Sequence, residues 1–396
     1  MKLIIAGKNS IAADVLRYVL DLKTVEVFVV LNKTENFINS FQKSLGFYAK
    51  LWNVQIITLS EAQSLKESIF LSLEFDRIIK TELFKSKELF NIHFSKLPAY
   101  KGMYTSALPI LNGVTQSGVT LHIIDNGIDT GDIIDQSTFE LLVTDTARSL
   151  YEKYISQGTE LVIKNLKNII NKAYSSIPQG YKNSTYYSKQ ALNYSNINID
   201  YFKTAFQIEQ QLRAFSFREY QLPKYNNYSI GDWEVLDTKS KLKPGSLINE
   251  NEETILLSTI DFDILLYKDR YEELWNYCRQ NNLVKLKLLL SGTNLDLETK
   301  TVEGWNALII ATYNGAYDCV NYLLIEGVDV NAKNYNNTSV IMYAKSNAIK
   351  TRELNILELL LQHGADVNEK DVFNKTVFDW VKEEDLELYN FFKNRL

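Results

Sequence analysis

The chain has 396 residues, of which 45% are hydrophobic and 23% are charged, and its formal net charge at pH 7 is -5. This length predicts two or three domains, and the composition is typical of soluble globular proteins. The acidic balance, without a block of like charge, argues against nucleic acid or an anionic membrane as a partner. No apolar stretch is long enough to predict a membrane-spanning helix or a secretory signal.

The first part of the chain alternates short apolar strands with helices. Strands are predicted at 2–7, 25–31, 54–59 and 75–80, and helices at 10–22 and 60–70, capped by Ser10 and Ser60. This alternation predicts βαβ units, a mainly parallel sheet and a Rossmann-like α/β fold. The turn AGKNSIA after the first strand has a single glycine, so the dinucleotide-binding fingerprint is missing.

The middle of the chain predicts more of this domain and then a smaller one. A helix-like stretch at 105–113 precedes a strand, a loop and a strand at 119–134, and helices follow at 144–172 and 197–216. Between 225 and 268, short apolar runs alternate with turn residues. This pattern predicts a small β-rich domain of antiparallel strands.

From about residue 270 the sequence repeats itself. The segments LDLE (295–298), VDVN (328–331) and ADVN (365–368) recur 33 and then 37 residues apart, each after an apolar helical run. This pattern resembles ankyrin repeats, and it predicts an all-α domain of at least three stacked units. Cys278 and Cys319, the two cysteines, fall in these helices, where buried thiols and a reducing, cytoplasmic location are expected.

The segment NIHFSKLPAYKG (91–102) holds one of only three histidines in the chain. Asn91 and His93 are two residues apart, so they share one face of a predicted strand end. Asp132 lies in DTGDII, where a turn leads into the next strand. An amide can stabilise an oxyanion, an imidazole can move protons, and a carboxylate can orient the imidazole. These three side chains predict an acyl-transfer site at the carboxyl ends of the strands.

NIHFSKLPAYKG, followed by GVTLHIIDNGIDTGDII, resembles the signature of the 10-formyltetrahydrofolate-dependent formyltransferases. The resemblance covers roughly residues 1–170 and implies that Asn91, His93 and Asp132 are catalytic. Lys96 departs from the family pattern, which usually has Leu there, but this removes no catalytic group. The predicted domains are then a catalytic domain at 1–196, the β-rich domain at 197–268 and the ankyrin domain at 269–396.

Three further segments, IIAGKNSIA, YYSKQ (186–190) and LRAFSFREYQLPKY (212–225), are similar to sugar-nucleotide N-formyltransferases. These enzymes act on dTDP-linked amino-dideoxyhexoses for surface polysaccharides such as the lipopolysaccharide O-antigen, and some carry ankyrin repeats. The resemblance implies a dTDP-3-amino-3,6-dideoxyhexose as substrate. It implies folate contacts at Lys80, Glu82, Leu83, Ser95, Leu97, Pro98, Asp125, Gly127 and Asp129, and substrate contacts at Asn9, Tyr187, Lys189 and Arg213.

Trp305 is the unusual residue of the repeats, because ankyrin repeats usually have a small or polar residue at this position. An exposed indole there predicts a second ligand contact, with a nucleotide sugar or with an aromatic group of a protein partner. The alternative is that Trp305 packs on a neighbouring repeat. His122 and His363 are predicted to be structural, and no spacing of residues predicts a metal site.

Other functions stay open at this level. The enzyme could formylate a dTDP-4-amino sugar, or methionyl-tRNA or glycinamide ribotide, although a tRNA-directed enzyme should be basic. A non-catalytic ankyrin scaffold is the alternative of a different class. Edge strands of the β-rich domain suggest a homodimer.

Overall fold

The computed structural model describes residues 1–194 and 197–393, and these form two compact units. Unit 1 comprises Met1–Ile38 and Gln42–Lys268, and unit 2 comprises Asn39–Phe41 and the chain from Asp269 onward. The predicted domain boundary at 196 and the predicted end of the ankyrin domain, 394–396, lie outside the described residues. Within the described part of the chain, no helix is both long and apolar enough to cross a membrane.

Unit 1 contains a seven-stranded sheet with the strand order β3-β2-β1-β4-β5-β7-β8. Its strands are β1 (Lys2–Gly7), β2 (Glu26–Leu31), β3 (Gln55–Ile56), β4 (Ser68–Leu73), β5 (Glu88–His93), β7 (Gln116–Ile123) and β8 (Ile133–Glu140), and the short strand β6 (Lys101–Gly102) lies outside this sheet. The first five run parallel, whereas β7 is antiparallel to both β5 and β8. The helices are α1 (Asn9–Leu22), α2 (Leu45–Leu51), α3 (Leu59–Ser64), α4 (Leu108–Leu111) and α5 (Ala147–Ile170). The Rossmann-like α/β prediction is confirmed.

The fourth strand lies earlier in the chain than predicted. Residues 75–80 form no strand, and β4 is formed by SIFLSL, whose first residues were assigned to a helix at 60–70. All six residues of β4 are buried, because the strand lies between β1 and β5 with both faces covered. A buried central strand has no alternation of polar and apolar residues, so its period cannot be told from that of a buried helix.

Two predicted helix caps are also wrong. Helix α1 begins at Asn9, and the Ser10 hydroxyl accepts a hydrogen bond from the Lys43 amide instead. Helix α3 is capped by Thr58, which forms a capping box with Glu61, so the helix begins one residue before Ser60. The predicted third strand therefore shortens to β3, because Thr58 and Leu59 already belong to the helix start.

The second part of unit 1 is a five-stranded antiparallel sheet with the order β10-β11-β14-β13-β12. Its strands are β10 (Lys224–Tyr225), β11 (Tyr228–Val235), β12 (Leu247–Glu250), β13 (Thr254–Leu257) and β14 (Ile264–Lys268). Helix α6 (Ala205–Phe215), capped by Thr204 rather than starting at 197, packs its apolar face on this sheet. A short strand β9 (Tyr186–Tyr187) pairs with β6.

Unit 2 is all helical, as predicted for ankyrin repeats. Its helices are α7 (Tyr271–Arg279), α8 (Leu283–Gly292), α9 (Ala307–Tyr313), α10 (Tyr317–Ile325), α11 (Val340–Thr351), α12 (Asn355–Gln362), α13 (Val377–Glu384) and α14 (Leu386–Lys393). Gly327 and Gly364 follow α10 and α12 with φ near +86° and +88°, the left-handed conformation that ends a helix at little cost for glycine. A single apolar core runs through all the helices, so each repeat is stabilised by its neighbours.

Candidate active site

A cavity of about 640 Å³ opens at the carboxyl ends of the parallel strands in unit 1. Its polar lining includes Asn91 and His93 from the end of β5, His122 from β7, and Asp129 from the loop that precedes β8. This size falls in the range of small-molecule sites, which are usually apolar with a few convergent polar groups. The position agrees with the rule that ligands of open α/β sheets bind beyond the carboxyl ends of strands.

His93 lies between a carbonyl group and a carboxylate. Its Nε2–H donates to the Tyr100 carbonyl oxygen at 2.8 Å, and its Nδ1 faces Asp129 Oδ2 at 3.4 Å. The backbone hydrogen bond assigns the single proton of the neutral ring to Nε2 and leaves the Nδ1 lone pair beside Asp129. A proton arriving at Nδ1 would therefore be stabilised at once by the carboxylate, while Nε2–H keeps its acceptor.

Asn91 is paired with His122 on the neighbouring antiparallel strand, where the two residues are directly opposite each other. The Asn91 Nδ2 group donates to His122 Nε2 at 3.0 Å, and the Nδ1–H of His122 donates to the Ile123 carbonyl oxygen at 2.8 Å. The second N–H of the Asn91 amide has only a long contact, 3.4 Å, to Asp129 Oδ1. This weakly held N–H can donate to a negatively charged oxygen in the cavity.

The charges of the site follow from burial and from these contacts. Burial lowers the pKa of His93 below its usual value of 6.5, and Asp129 only partly opposes this effect. Burial raises the pKa of Asp129, but His93, His122 and the Gly102 amide together outweigh it and lower the pKa to about 2. At neutral pH the site therefore holds an ionised carboxylate beside a neutral imidazole that can accept a proton.

The carboxylate that faces His93 belongs to Asp129 and not to Asp132, the aspartate that the sequence analysis assigned to this role. Asp132 directly precedes β8, its carbonyl oxygen accepts from the Ile123 amide at 2.9 Å, and its carboxylate accepts from Ser176 at 3.5 Å. Asp129 adopts a left-handed conformation with φ of +54° and accepts from the Gly102 amide at 2.9 Å. The turn thus directs Asp129, and not Asp132, towards His93.

Residue Gln179, which sequence reasoning missed, holds the Asp129 loop in place. Its side-chain amide donates to the carbonyl oxygens of Asp129 at 2.9 Å and Gly131 at 2.8 Å. Gly131 also allows the loop to lie close to β7, since a Cβ atom there would lie 1.9 Å from the Ile123 oxygen. No local sequence signal connects Gln179 to a loop about 50 residues earlier, so only the fold could identify it.

The predicted folate contacts separate into three groups. Asp125, Gly127 and Asp129 line the cavity. Lys80, Glu82 and Leu83 are exposed and do not line it, because β4 ends at Leu73 and the segment that borders the cavity is therefore 74–79. Ser95, Leu97 and Pro98 also do not line it. Ser95 and Leu97 are instead buried in the loop after β5. There the backbone amide of Leu97 donates to the Thr120 hydroxyl group, which in turn donates to the backbone carbonyl oxygen of Ser95.

Of the predicted substrate contacts, only some lie at the cavity. Lys189 lines the cavity, and Tyr187 lies next to the lining residues Tyr186 and Ser188, with its ring stacked on that of Tyr100. Arg213 does not line the cavity, because it donates to the Asp145 carbonyl oxygen at 3.0 Å.

Asn9 is held at the edge of the cavity by two residues that the sequence analysis did not single out. Its side-chain amide donates to Glu74 Oε2 at 3.0 Å and to the Tyr151 hydroxyl oxygen at 2.7 Å. Glu74 lines the cavity, whereas Asn9 itself does not. The position of Glu74 directly after a strand of the parallel sheet was a usable signal, but the strand had been assigned to 75–80.

In unit 2, Trp305 is half-buried rather than exposed as predicted. Its ring contacts those of Tyr313 and Tyr343, with centroid distances of 4.9 and 5.1 Å. Tyr343 belongs to the next repeat, so the packing alternative is present, while Tyr313 remains 47% exposed beside the indole. Among the described residues of both units, no cluster of His, Cys, Asp and Glu is close enough to hold a metal ion.

Comparisons with known proteins point to the same chemistry. A family model of formyl transferases matches residues 58–166, and a model of three ankyrin repeats matches residues 274–371. The methionyl-tRNA formyltransferase of Clostridioides difficile is 30% identical over 213 residues, which cover 52% of this chain and 68% of that protein.

Two solved structures are more similar in sequence. An N-formyltransferase from Helicobacter canadensis, in complex with folinic acid and dTDP-3-aminofucose, is 47% identical, with a TM-score of 0.63, and covers 68% of this chain and 100% of its own. A sugar 3N-formyl transferase with dTDP and 5-N-formyl-THF is 45% identical, with a TM-score of 0.62, over 68% of this chain and 97% of its own. The resemblance predicted from the sequence is confirmed for both the formyl transferase and the ankyrin parts.

Proposed function

Because the chain belongs to the formyl transferase family, we propose that it transfers the formyl group of 10-formyltetrahydrofolate to a dTDP-linked amino-dideoxyhexose. The observation that carries this proposal is the contact of His93 with Asp129, beside the Asn91 amide, in one cavity. The 47% and 45% identical enzymes were solved with folates and with dTDP-3-aminofucose or dTDP, which supports a 3-amino sugar. The proposed substrate is dTDP-3-amino-3,6-dideoxyglucose or its galacto isomer.

The lining of the cavity fits both reactants. Ile79 and Ile124 provide apolar surface for a pterin, and Asp125 can accept hydrogen bonds from pterin N–H groups. Lys189 and Lys8 add positive charge at the same cavity, as a diphosphate requires. The folate serves as a co-substrate here, and it supplies the activated formyl group.

In the proposed mechanism, the neutral sugar amine attacks the formyl carbon and a tetrahedral intermediate forms. The weakly held N–H of Asn91, which is 3.4 Å from Asp129 Oδ1, donates to the oxyanion instead. Loss of such a donor typically lowers turnover by about 10²–10³. His93 Nδ1 accepts the proton from the attacking nitrogen, and Asp129 stabilises the resulting imidazolium. His93 then returns this proton to N10 of the folate as the bond between N10 and the formyl carbon breaks.

Incubation with 10-formyltetrahydrofolate and a panel of dTDP-amino sugars, read by the mass gain of one formyl group, tests the proposal. Formylation of the 3-amino sugars is expected, whereas formylation only of a 4-amino sugar would assign the alternative substrate. No product with any amine in the panel would leave the non-catalytic scaffold as the better interpretation.

Methionyl-tRNA is the less favoured acceptor, although methionyl-tRNA formyltransferases are among the relatives. The chain has a formal net charge of -5, whereas binding to tRNA depends on many contacts between basic residues and phosphates. The proposed product would enter bacterial surface polysaccharide, such as the lipopolysaccharide O-antigen, and we propose that the enzyme works in the cytoplasm as a homodimer.

The proton transfer to His93 predicts a pH profile. Because burial lowers the pKa of His93 below 6.5, the imidazole stays neutral and competent as a base at pH 7. As the pH falls through the lowered pKa, the ring binds a proton and the base is lost. We expect kcat to be constant from pH 8 to pH 6.5 and to fall only at lower pH. A midpoint at or above 6.5 in initial-rate measurements would contradict this assignment.

Trp305 provides a second, regulatory part of the proposal. The half-buried indole and the exposed part of Tyr313 form an aromatic surface on unit 2 that suits a nucleotide base or an aromatic side chain of a protein partner. If a second molecule of nucleotide sugar binds there, rate plots against substrate should be non-hyperbolic, and Trp305→Ala should make them hyperbolic. Ordinary saturation of the unmodified enzyme would exclude this site for the substrate.

A further inference from the structure

Glu74 is an acidic residue of the cavity that the proposed mechanism does not use. It follows β4 directly, and it is one of the residues that line the cavity that contains His93. Its φ of +58° lies in the left-handed region, which is uncommon for a residue with a side chain. Both this backbone conformation and the partial burial of a carboxylate are unfavourable, which points to a function for the group.

The contacts of this carboxylate are all with neutral groups. The Tyr151 hydroxyl lies 2.9 Å from both carboxylate oxygens, and the Asn9 amide donates to Oε2 at 3.0 Å. Among the described residues, no Lys, Arg or His nitrogen lies within 4.0 Å of the Glu74 carboxylate. Hydrogen bonds therefore orient the Glu74 carboxylate, but no ion pair neutralises its negative charge. A cationic ligand would be favoured beside it.

The titratable groups around Glu74 come from three other segments. Lys8 precedes α1, Tyr151 belongs to α5, and Tyr220 lies between α6 and β10. Burial raises the pKa of Glu74, and Lys8, Tyr151 and Asn9 only partly oppose this effect. Burial and the charge of Glu74 raise the pKa of Tyr151 well above 10 and that of Tyr220 to about 12, so both phenols stay neutral at physiological pH.

We propose that Glu74 binds the amino group of the sugar substrate as an ammonium ion and accepts its first proton. This inference rests on the proposed function, because it requires an amine as acceptor. One N–H bond of the ammonium breaks, its electron pair stays on nitrogen, and the proton moves to a Glu74 carboxylate oxygen. The products are a carboxylic acid and a neutral amine with the lone pair that attack on the formyl carbon requires.

This step completes the proton balance of the reaction. An alkyl amine is protonated in neutral water and must lose two protons before the amide product is formed. Glu74 takes the first proton before attack, and His93 takes the second from the tetrahedral intermediate and returns it to the folate nitrogen. Because the two residues act on different protons, removal of Glu74 should be compensated when the solution itself deprotonates the amine, whereas removal of His93 should not.

The test is the pH dependence of kcat/KM for dTDP-3-aminofucose in Glu74→Gln, which keeps the shape of the side chain but not its charge. At pH 7 we expect kcat/KM to fall about 10- to 100-fold, which corresponds to the free energy that a hydrogen bond to a charged group usually contributes. The loss should shrink by about tenfold per pH unit as the pH rises towards the pKa of the free amine. Glu152→Gln, an exposed glutamate next to Tyr151 in sequence, is the matched control and should behave as the unmodified enzyme.

A second measurement separates charge recognition from folding and from general binding. dTDP-fucose, with a hydroxyl group in place of the amine, should bind equally to the unmodified enzyme and to Glu74→Gln, and the thermal midpoint of the variant should be preserved. A loss of kcat/KM that is the same at every pH, or unchanged activity at pH 7, would overturn the role of Glu74 while leaving the formyl transfer itself intact. Absence of product with the unmodified enzyme would overturn the proposed function, and the role of Glu74 with it.

Discussion

His93→Asn is expected to lower kcat by about 10²–10⁴, the range over which general acid–base catalysis contributes. Asparagine is shorter than histidine, so its amide occupies the Nδ1 side of the ring and does not reach the Tyr100 carbonyl oxygen, where His93 Nε2 now donates at 2.8 Å. The amide cannot accept a proton at neutral pH, and the site would lose its base. The measurement is single-turnover formation of the N-formyl sugar with both substrates at saturating concentration.

His363→Asn is the matched control for this experiment. His363 is the C-cap residue of α12 in unit 2 and is far in sequence from every residue that lines the cavity. The same substitution at this exposed position should leave kcat within about twofold of the value for the unmodified enzyme, because surface substitutions usually have small effects. Near-normal turnover in His93→Asn would exclude the proton-transfer role, and a similar loss in both variants would indicate general destabilisation.

Much of this architecture can be predicted from local patterns. The strand 2–7 and the helix that follows it were placed within one residue, because an apolar run that ends in a glycine and a 3.6-residue period are both local signals. The ankyrin part could be predicted because its period repeats along the chain. Asn91 and His93 could be predicted to face the same side because side chains alternate along a strand.

The errors have a common physical cause, which is that burial removes the polar alternation of a strand. The fully buried β4 was displaced along the sequence, and the cavity is bordered by 74–79, which the sequence analysis had assigned in large part to a strand. Contacts between distant segments could not be predicted either. Tyr151 donates a hydrogen bond to Glu74, which lies 77 residues earlier in the sequence. Gln179 donates to the carbonyl oxygen of Asp129, which lies 50 residues earlier.

The choice between Asp129 and Asp132 depended on backbone conformation, and the same substitution at both positions tests it. Asp129→Asn should lower kcat by about 10³–10⁴, comparable with the loss when an aspartate that orients a catalytic histidine becomes an amide. The amide cannot stabilise an imidazolium whose Nδ1 lies 3.4 Å away, and it also weakens the acceptor of the Gly102 amide.

Asp132→Asn should retain at least about half of the activity, because its carboxylate has only a 3.5 Å contact with Ser176 and does not line the cavity. Both variants preserve side-chain volume and remove one negative charge from the same loop, so a general electrostatic effect would act on them alike. A larger loss in Asp132→Asn than in Asp129→Asn would mean that the loop rearranges when substrates bind and that the second aspartate then contacts the histidine.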